Sequence, residues 1–143
     1  VKWRLEKQAE EVYRVVVEAL EAGIRGDEET FNNLHSIAYT RYSDLPPYRL
    51  QNREEALKLK ISLLTQLIDF EYSLENFQTF YHGDVAVACF LLRYRGMAVN
   101  DYAFEGKMVE GVARCTVVLE KSGDRWRILH EHLSRVPEGF SAD

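Results

Sequence analysis

Residues 112–136, VARCTVVLEKSGDRWRILHEHLSRV, decide the reading of this 143-residue chain. Two runs rich in β-branched and aromatic residues flank Ser122-Gly123-Asp124, a short turn signal, and together they predict a β-hairpin. Side chains alternate along a strand with period two. The second run therefore places Trp126, Ile128, His130, His132 and Ser134 on one face. Two imidazoles and a hydroxyl beside two large apolar groups describe the inner wall of a pocket. Leu129 and Leu133 then fall on the opposite, outer face.

Upstream, residues 84–95 read as a strand apolar on both faces and hence central in a sheet. Residues 71–81 read as another strand, whose alternation slips near Asn76, the mark of a β-bulge. His82-Gly83-Asp84 turns between them. A looser segment, 96–106, leads to a third strand at about 107–121, and the fourth spans 125–136. Before residue 71 the period is helical. Leu5, Ala9, Val12, Val16 and Ala19 recur at helical spacing over residues 2–22, and Gly23 and Gly26 bracket the end. Asp27 caps a second helix with Phe31, Leu34 and Ala38 as its buried edge. Pro46-Pro47 forces residues 39–50 into an extended or turning path. Asn52 and Glu55 form a capping box that opens a third helix, through about Ile68, with Leu57, Ile61, Leu64 and Ile68 facing the core.

Helices first and antiparallel strands afterwards predict a single α+β domain over residues 1–143. Its three N-terminal helices pack on the concave face of a curved, mostly antiparallel sheet of four to six strands, closing a cone. The third strand is largely apolar on both faces, in Arg114/Thr116/Val118 and in Cys115/Val117/Leu119. A sheet apolar on both sides needs a second cover, so the outer face is expected to make a homodimer.

Composition narrows the function classes. A hydrophobic share of 46% with 29% charged residues is that of an ordinary globular protein. A net charge of −5 argues against nucleic acid as the main partner. The apolar run 85–92 is far short of the ~20 residues a spanning helix needs, and the early charges Lys2, Arg4, Glu6 and Lys7 do not fit a secretory leader. A cytoplasmic protein with no membrane partner is expected. Cys89 and Cys115 fit free, buried thiols, with a cross-strand disulfide as the alternative. No CxxC motif or Cys/His ligand cluster is present, which argues against structural zinc, and no P-loop or dinucleotide-binding glycine motif appears, so neither metal nor cofactor is expected.

These elements, in this order, resemble the nuclear-transport-factor-like superfamily, which includes ketosteroid isomerase and the SnoaL-like polyketide cyclases. The residues carrying the likeness are Gly83-Asp84-Val85-Ala86-Val87, Arg114-x-Thr116, the Asp44-Leu45-Pro46-Pro47 loop before Asn52-Arg53-Glu54-Glu55, and the string from Trp126 to Ser134. That string is similar to the last strand of the SnoaL-like branch and of calcium/calmodulin-dependent kinase association domains. The resemblance implies a pocket between sheet and helices, lined by Tyr13, Val17, His35, Tyr39, Tyr42, Phe90 or its neighbours, Arg114, Trp126, His130 and His132.

Within that pocket, an imidazole suits acid–base work near neutrality, which makes His132, beside His130, a candidate base. Asp44, ahead of the Pro-Pro corner, is a second candidate for abstracting a proton next to a carbonyl. Arg114 either pairs with Asp44 or Glu131 or awaits an anionic ligand. Each residue also has a purely structural reading, as a satisfied hydrogen-bonding partner, an ion pair or a local cap. Two functions stay open. One is a cofactor-free, dimeric domain binding a small carboxylate- or carbonyl-bearing molecule, with or without isomerase-, cyclase- or dehydratase-type proton transfer. The other is an assembly module that works through its outer sheet face.

Overall fold

The computed structural model describes residues 2–100 and 105–141. In chain order the elements are α1 (Lys2–Ile24), α2 (Glu28–Asn33), β1 (His35–Tyr42), α3 (Arg53–Gln66), β2 (Leu67–His82), β3 (Val85–Asn100), β4 (Glu105–Ser122) and β5 (Arg125–Arg135). α1 buries Val12, Val16, Ala19 and Ala22, a single stripe at helical spacing. Asp27 and Asn52 cap α2 and α3, their side chains accepting from the backbone N–H of Thr30 (3.2 Å) and Glu55 (3.0 Å). α3 ends at Gln66 because Leu67 is already extended and opens β2, so Ile68 lies half exposed on that strand rather than completing the helix core face.

The second helix is shorter than its apolar edge predicts. It stops at Asn33, and residues 35–42 form β1, with Ala38 exposed. Ile37, Tyr39, Thr40 and Tyr42 are β-branched or aromatic, and the free edge of β5 offers them a ladder that a helix would forgo. β1 pairs parallel with β5, from His35 opposite Ile128 to Tyr42 opposite His132, and skips register between His35 and Thr40.

The five-stranded sheet has the order β1-β5-β4-β3-β2, antiparallel except at the β1 edge. Asn76 lies at positive φ (54°) where β2 slips register against β3, as the broken alternation there predicts, and Asp69 (51°) marks a second slip. Such bulges bend the sheet around the helices. The described part of the looser segment is continuous strand, with Met97 opposite Met108, and residues 101–104 of that expected connection lie outside the described residues. Both cysteines are free, Cys115 within the core and Cys89 partly buried.

One irregularity in β5 governs everything that follows. Val118 pairs with His130 and the next residue, Leu119, pairs with Ile128, so Leu129 has no partner across the ladder. One extra residue inverts the alternation. Trp126 and Ile128 are buried in the core, yet beyond the bulge it is Glu131 that is buried and His132 that is exposed. Strict alternation from Trp126 to Ser134 is thereby corrected. His130, His132 and Ser134 lie on the convex side, and Leu133 turns inward with Glu131.

Candidate functional site

Between α1, α3 and the concave sheet face lies a cavity of about 120 Å³. Its wall is mostly apolar and includes Leu64, Phe90, Leu92, Val117 and Ile128. Five charged residues interrupt it: Arg41, Asp44, Lys60, Glu131 and Arg135.

Neighbouring elements bring the deepest of these together. Arg41 on β1 lies opposite Glu131 on β5, and Lys60 sits on the buried face of α3 between Leu57 and Leu64. Glu131 Oε1 accepts from Lys60 Nζ at 2.6 Å and from the Tyr39 hydroxyl at 2.6 Å. Lys60 Nζ also lies 3.3 Å from His35 Nε2, while His35 Nδ1 is 2.6 Å from the Phe31 carbonyl oxygen. A carbonyl only accepts, so Nδ1 carries the proton and Nε2 is left to accept from the lysine ammonium.

The electrostatics agree with that tautomer. Burial, reinforced by Lys60, lowers the His35 pKa and keeps the ring neutral. Burial alone would raise the Glu131 carboxyl, but Lys60, His35 and Arg41 outweigh it and hold the group well below the usual carboxylate range. Burial and the Glu131 charge push the Tyr39 phenol well up, so it remains a donor. Burial lowers the Lys60 pKa against the opposing pull of Glu131. The Cys115 thiol, pushed up to about 12 mainly by burial, stays protonated and unreactive.

Arg41 is the exception. It is only 7% exposed, its Nε has no hydrogen-bond partner, and its guanidinium makes no ion pair among the described residues. At the mouth, Arg135 Nε stands 3.7 Å from Asp44 Oδ2 and its Nη2 donates to the Tyr94 hydroxyl at 3.0 Å. Glu131 with Lys60, and Asp44 with Arg135, are thus matched pairs. Three cations and two anions line the cavity, one positive charge in excess, and Arg41 acts on Glu131 through space rather than through a hydrogen bond or close ion pair.

The residues expected in the pocket divide by face. Asp44 lines the cavity, and His35 is buried behind Lys60. Trp126 is buried elsewhere in the cone, its ring 6.1 Å from that of Tyr81, and Tyr13 is an exposed residue packing edge-on against Phe77 at 5.0 Å. Arg114, His130, His132 and Tyr42 do come together, but on the convex face. There Arg114 Nε donates to Ser134 Oγ at 3.0 Å, His130 Nδ1 lies 2.8 Å from Thr40 Oγ1, and the Tyr42 ring is 6.0 Å from His130 and 5.4 Å from His132. Arg114 therefore pairs with neither Asp44 nor Glu131.

Sequence reasoning missed Arg41 and Lys60 and placed Glu131 on the wrong side, while Tyr39, expected in the pocket from the resemblance, is indeed buried against Glu131. Lys60 did leave a signal, a lysine three residues after Leu57 and four before Leu64 on the apolar stripe of α3. Arg41 left none, because its segment did not read as a strand. Among the described residues no three His, Cys, Asp or Glu side chains converge to hold a metal, and no helix is long and apolar enough to cross a membrane.

Solved structures share this cone. A candidate dehydratase of the NTF2-like family from Streptomyces avermitilis superposes with a TM-score of 0.77 at 19% identity, covering 92% of this chain and 99% of its own. The S. rosetta CaMKII hub gives 0.72 at 19% identity over 89% and 95%. An uncharacterized protein of cystatin-like fold from Caulobacter vibrioides gives 0.70 at 14% identity over 90% and 89%. At such identities the likeness is one of fold. No curated protein matches the chain. The SnoaL-like domain model matches residues 12–138, and with that span the chain belongs to the SnoaL-like domain family.

Proposed function

We propose that the cone binds a small molecule bearing a carboxylate, with Arg41 as its counter-charge. The observation that carries this is a buried arginine whose Nε has no hydrogen-bond partner, lining a mostly apolar cavity that holds one cation more than it has anions. An unanswered buried charge is costly, and a bound carboxylate would answer it through charge-assisted hydrogen bonds. The cavity volume favours ligands of a few heavy atoms over steroids or polyketides. Where the ligand also carries a carbonyl, proton-transfer chemistry has its groups at hand, with Asp44 at the mouth as base and Tyr39 or Lys60 as donors beneath.

Thermal shift with acetate, glycolate and pyruvate tests this reading. Ligand at about a hundredfold its Kd should stabilise the protein by about 2.7 kcal/mol. Arg41→Gln should abolish that gain, while His132→Ala and Arg114→Ala retain it. The opposite pattern would return the site to the convex face.

A second reading concerns that face. Val87, Leu91, Thr116 and Val118 form its centre, bordered by Phe80 and Tyr42, which are 55% and 38% exposed. Such a surface favours self-association, and the likeness to hub domains gives this reading a precedent in the same fold. A dimer mass by light scattering at micromolar concentration is the expected result, and a monomer would refute it.

A further inference from the structure

Lys60 is more than the partner of Glu131. A stable ion pair needs only the carboxylate, yet the ammonium also faces a neutral imidazole whose open nitrogen, 3.3 Å away, is a base. That imidazole is held with its Nε2 free by the Phe31 carbonyl on its other side. The amine lines the same cavity as Arg41. We propose that Lys60 is a nucleophilic amine that forms an imine with a small 2-oxo or aldehyde acid whose carboxylate sits on Arg41. The proposal rests on the carboxylate reading above and adds the reacting carbonyl.

The groups present balance each step. Lys60 passes one proton to His35 Nε2, and the imidazolium so formed is 3.7 Å from Glu131 Oε1, so the carboxylate keeps a cation beside it. The free amine attacks the carbonyl carbon, the C=O π pair moves to oxygen, and a proton shift from nitrogen to oxygen gives the carbinolamine. His35 then returns its proton to that hydroxyl, which leaves as water as the nitrogen lone pair closes the C=N bond. The product is a protonated imine, with His35 neutral again and the total charge unchanged. Burial, which lowers the lysine pKa, increases the fraction of amine available for the first step. Arg41 meanwhile holds the acid so that its carbonyl stays within reach of the amine.

The exposed Lys58, two residues away on the same helix, is an internal control that requires no variant to fold. The native protein is treated with glyoxylate and cyanoborohydride, which traps an imine as carboxymethyl-lysine, and the modified lysines are mapped by peptide mass. Lys60 should be labelled several-fold faster than Lys58, because a lowered pKa raises its free-amine fraction and Arg41 holds the aldehyde acid beside it. Glycolate binds as a carboxylate but cannot condense. It should slow labelling at Lys60 and leave Lys58 unaffected. Labelling that follows exposure, with Lys60 slower than Lys58, overturns the imine proposal. In that case thermal stabilisation by glycolate, lost in Arg41→Gln, would leave the carboxylate pocket standing. Fast labelling at Lys60 that glycolate neither slows nor accompanies with stabilisation would support the amine and overturn Arg41 as the anchor.

Discussion

The two faces of β5 hold similar residues in opposite circumstances. Towards the concave side, Glu131 is buried with Lys60, Tyr39 and His35 packed about one carboxylate oxygen. Towards the convex side, its neighbours His130 and His132 reach solvent and touch Tyr42 and Thr40. A polar group removed from water must find partners, so removing either member of the Glu131–Lys60 pair strands the other charge, whereas water repairs most convex losses. The energetic contrast between these faces is therefore larger than the chemical one.

The sharpest way to break that contrast is Glu131→Ala, which strands the Lys60 ammonium. It should cost about 3–5 kcal/mol in denaturant unfolding. The pair Glu131→Leu with Lys60→Met should cost less than Glu131→Ala alone. A convex substitution costing as much as Glu131→Ala would mean the faces have been misassigned. Arg41→Leu should move stability the other way. Relief of the unpaired Nε and of the excess positive charge should outweigh the lost attraction to Glu131 and stabilise the ligand-free protein by about 1 kcal/mol, read in the same titrations, while carboxylate binding is lost. Destabilisation would mean that Arg41 already has a partner.

The histidines sharpen the comparison through pH. Burial and Lys60 hold His35 below its ordinary value of 6.5. As pH falls through that value the unfolded chain takes up a proton that the folded state refuses, so stability should decline with acidification. The slope is at most about 1.4 kcal/mol per pH unit and levels off below the folded pKa. Glu131 has the same sign in a more acidic window. Its depressed pKa contributes stability above the ordinary carboxylate value of 4.5 and loses it only in stronger acid, outside the histidine window. Urea unfolding between about pH 7.5 and 5 should show the slope in the wild type and a flatter line in His35→Gln. His130 is also lowered, by burial and then by His132, but solvent screens it, and His130→Asn should keep most of the slope. The smallest effects belong to His132→Ala and Arg114→Ala, each within about 0.5 kcal/mol for the isolated protomer. Should the convex face be a dimer interface, their effects will grow with protein concentration.

Much of this architecture was legible in the chain. The helical spacing from Val12 to Ala19, the caps at Asp27 and Asn52, the bulge at Asn76 and the turn at Ser122-Gly123-Asp124 are local signals, set by neighbours within one or two turns of chain. β1 was not legible, because a strand of eight residues at a sheet edge is specified by its partner more than by its own pattern. The site was legible only in part. Asp44 could be assigned from the loop that carries it and His35 from the resemblance. Arg41 and Glu131 could not, since each takes its face from a ladder slip between distant segments.

By itself the sequence determined an α+β cone: its helices apart from the end of the second, its four later strands, and that the sheet carries apolar residues on both faces. Tertiary structure alone decided which side of the last strand is inside. Alternation has a period of two and no memory beyond an inserted residue, so the unpaired Leu129 exchanges His132 for Glu131 at the wall of the cavity. Only the register against β4 reveals that exchange.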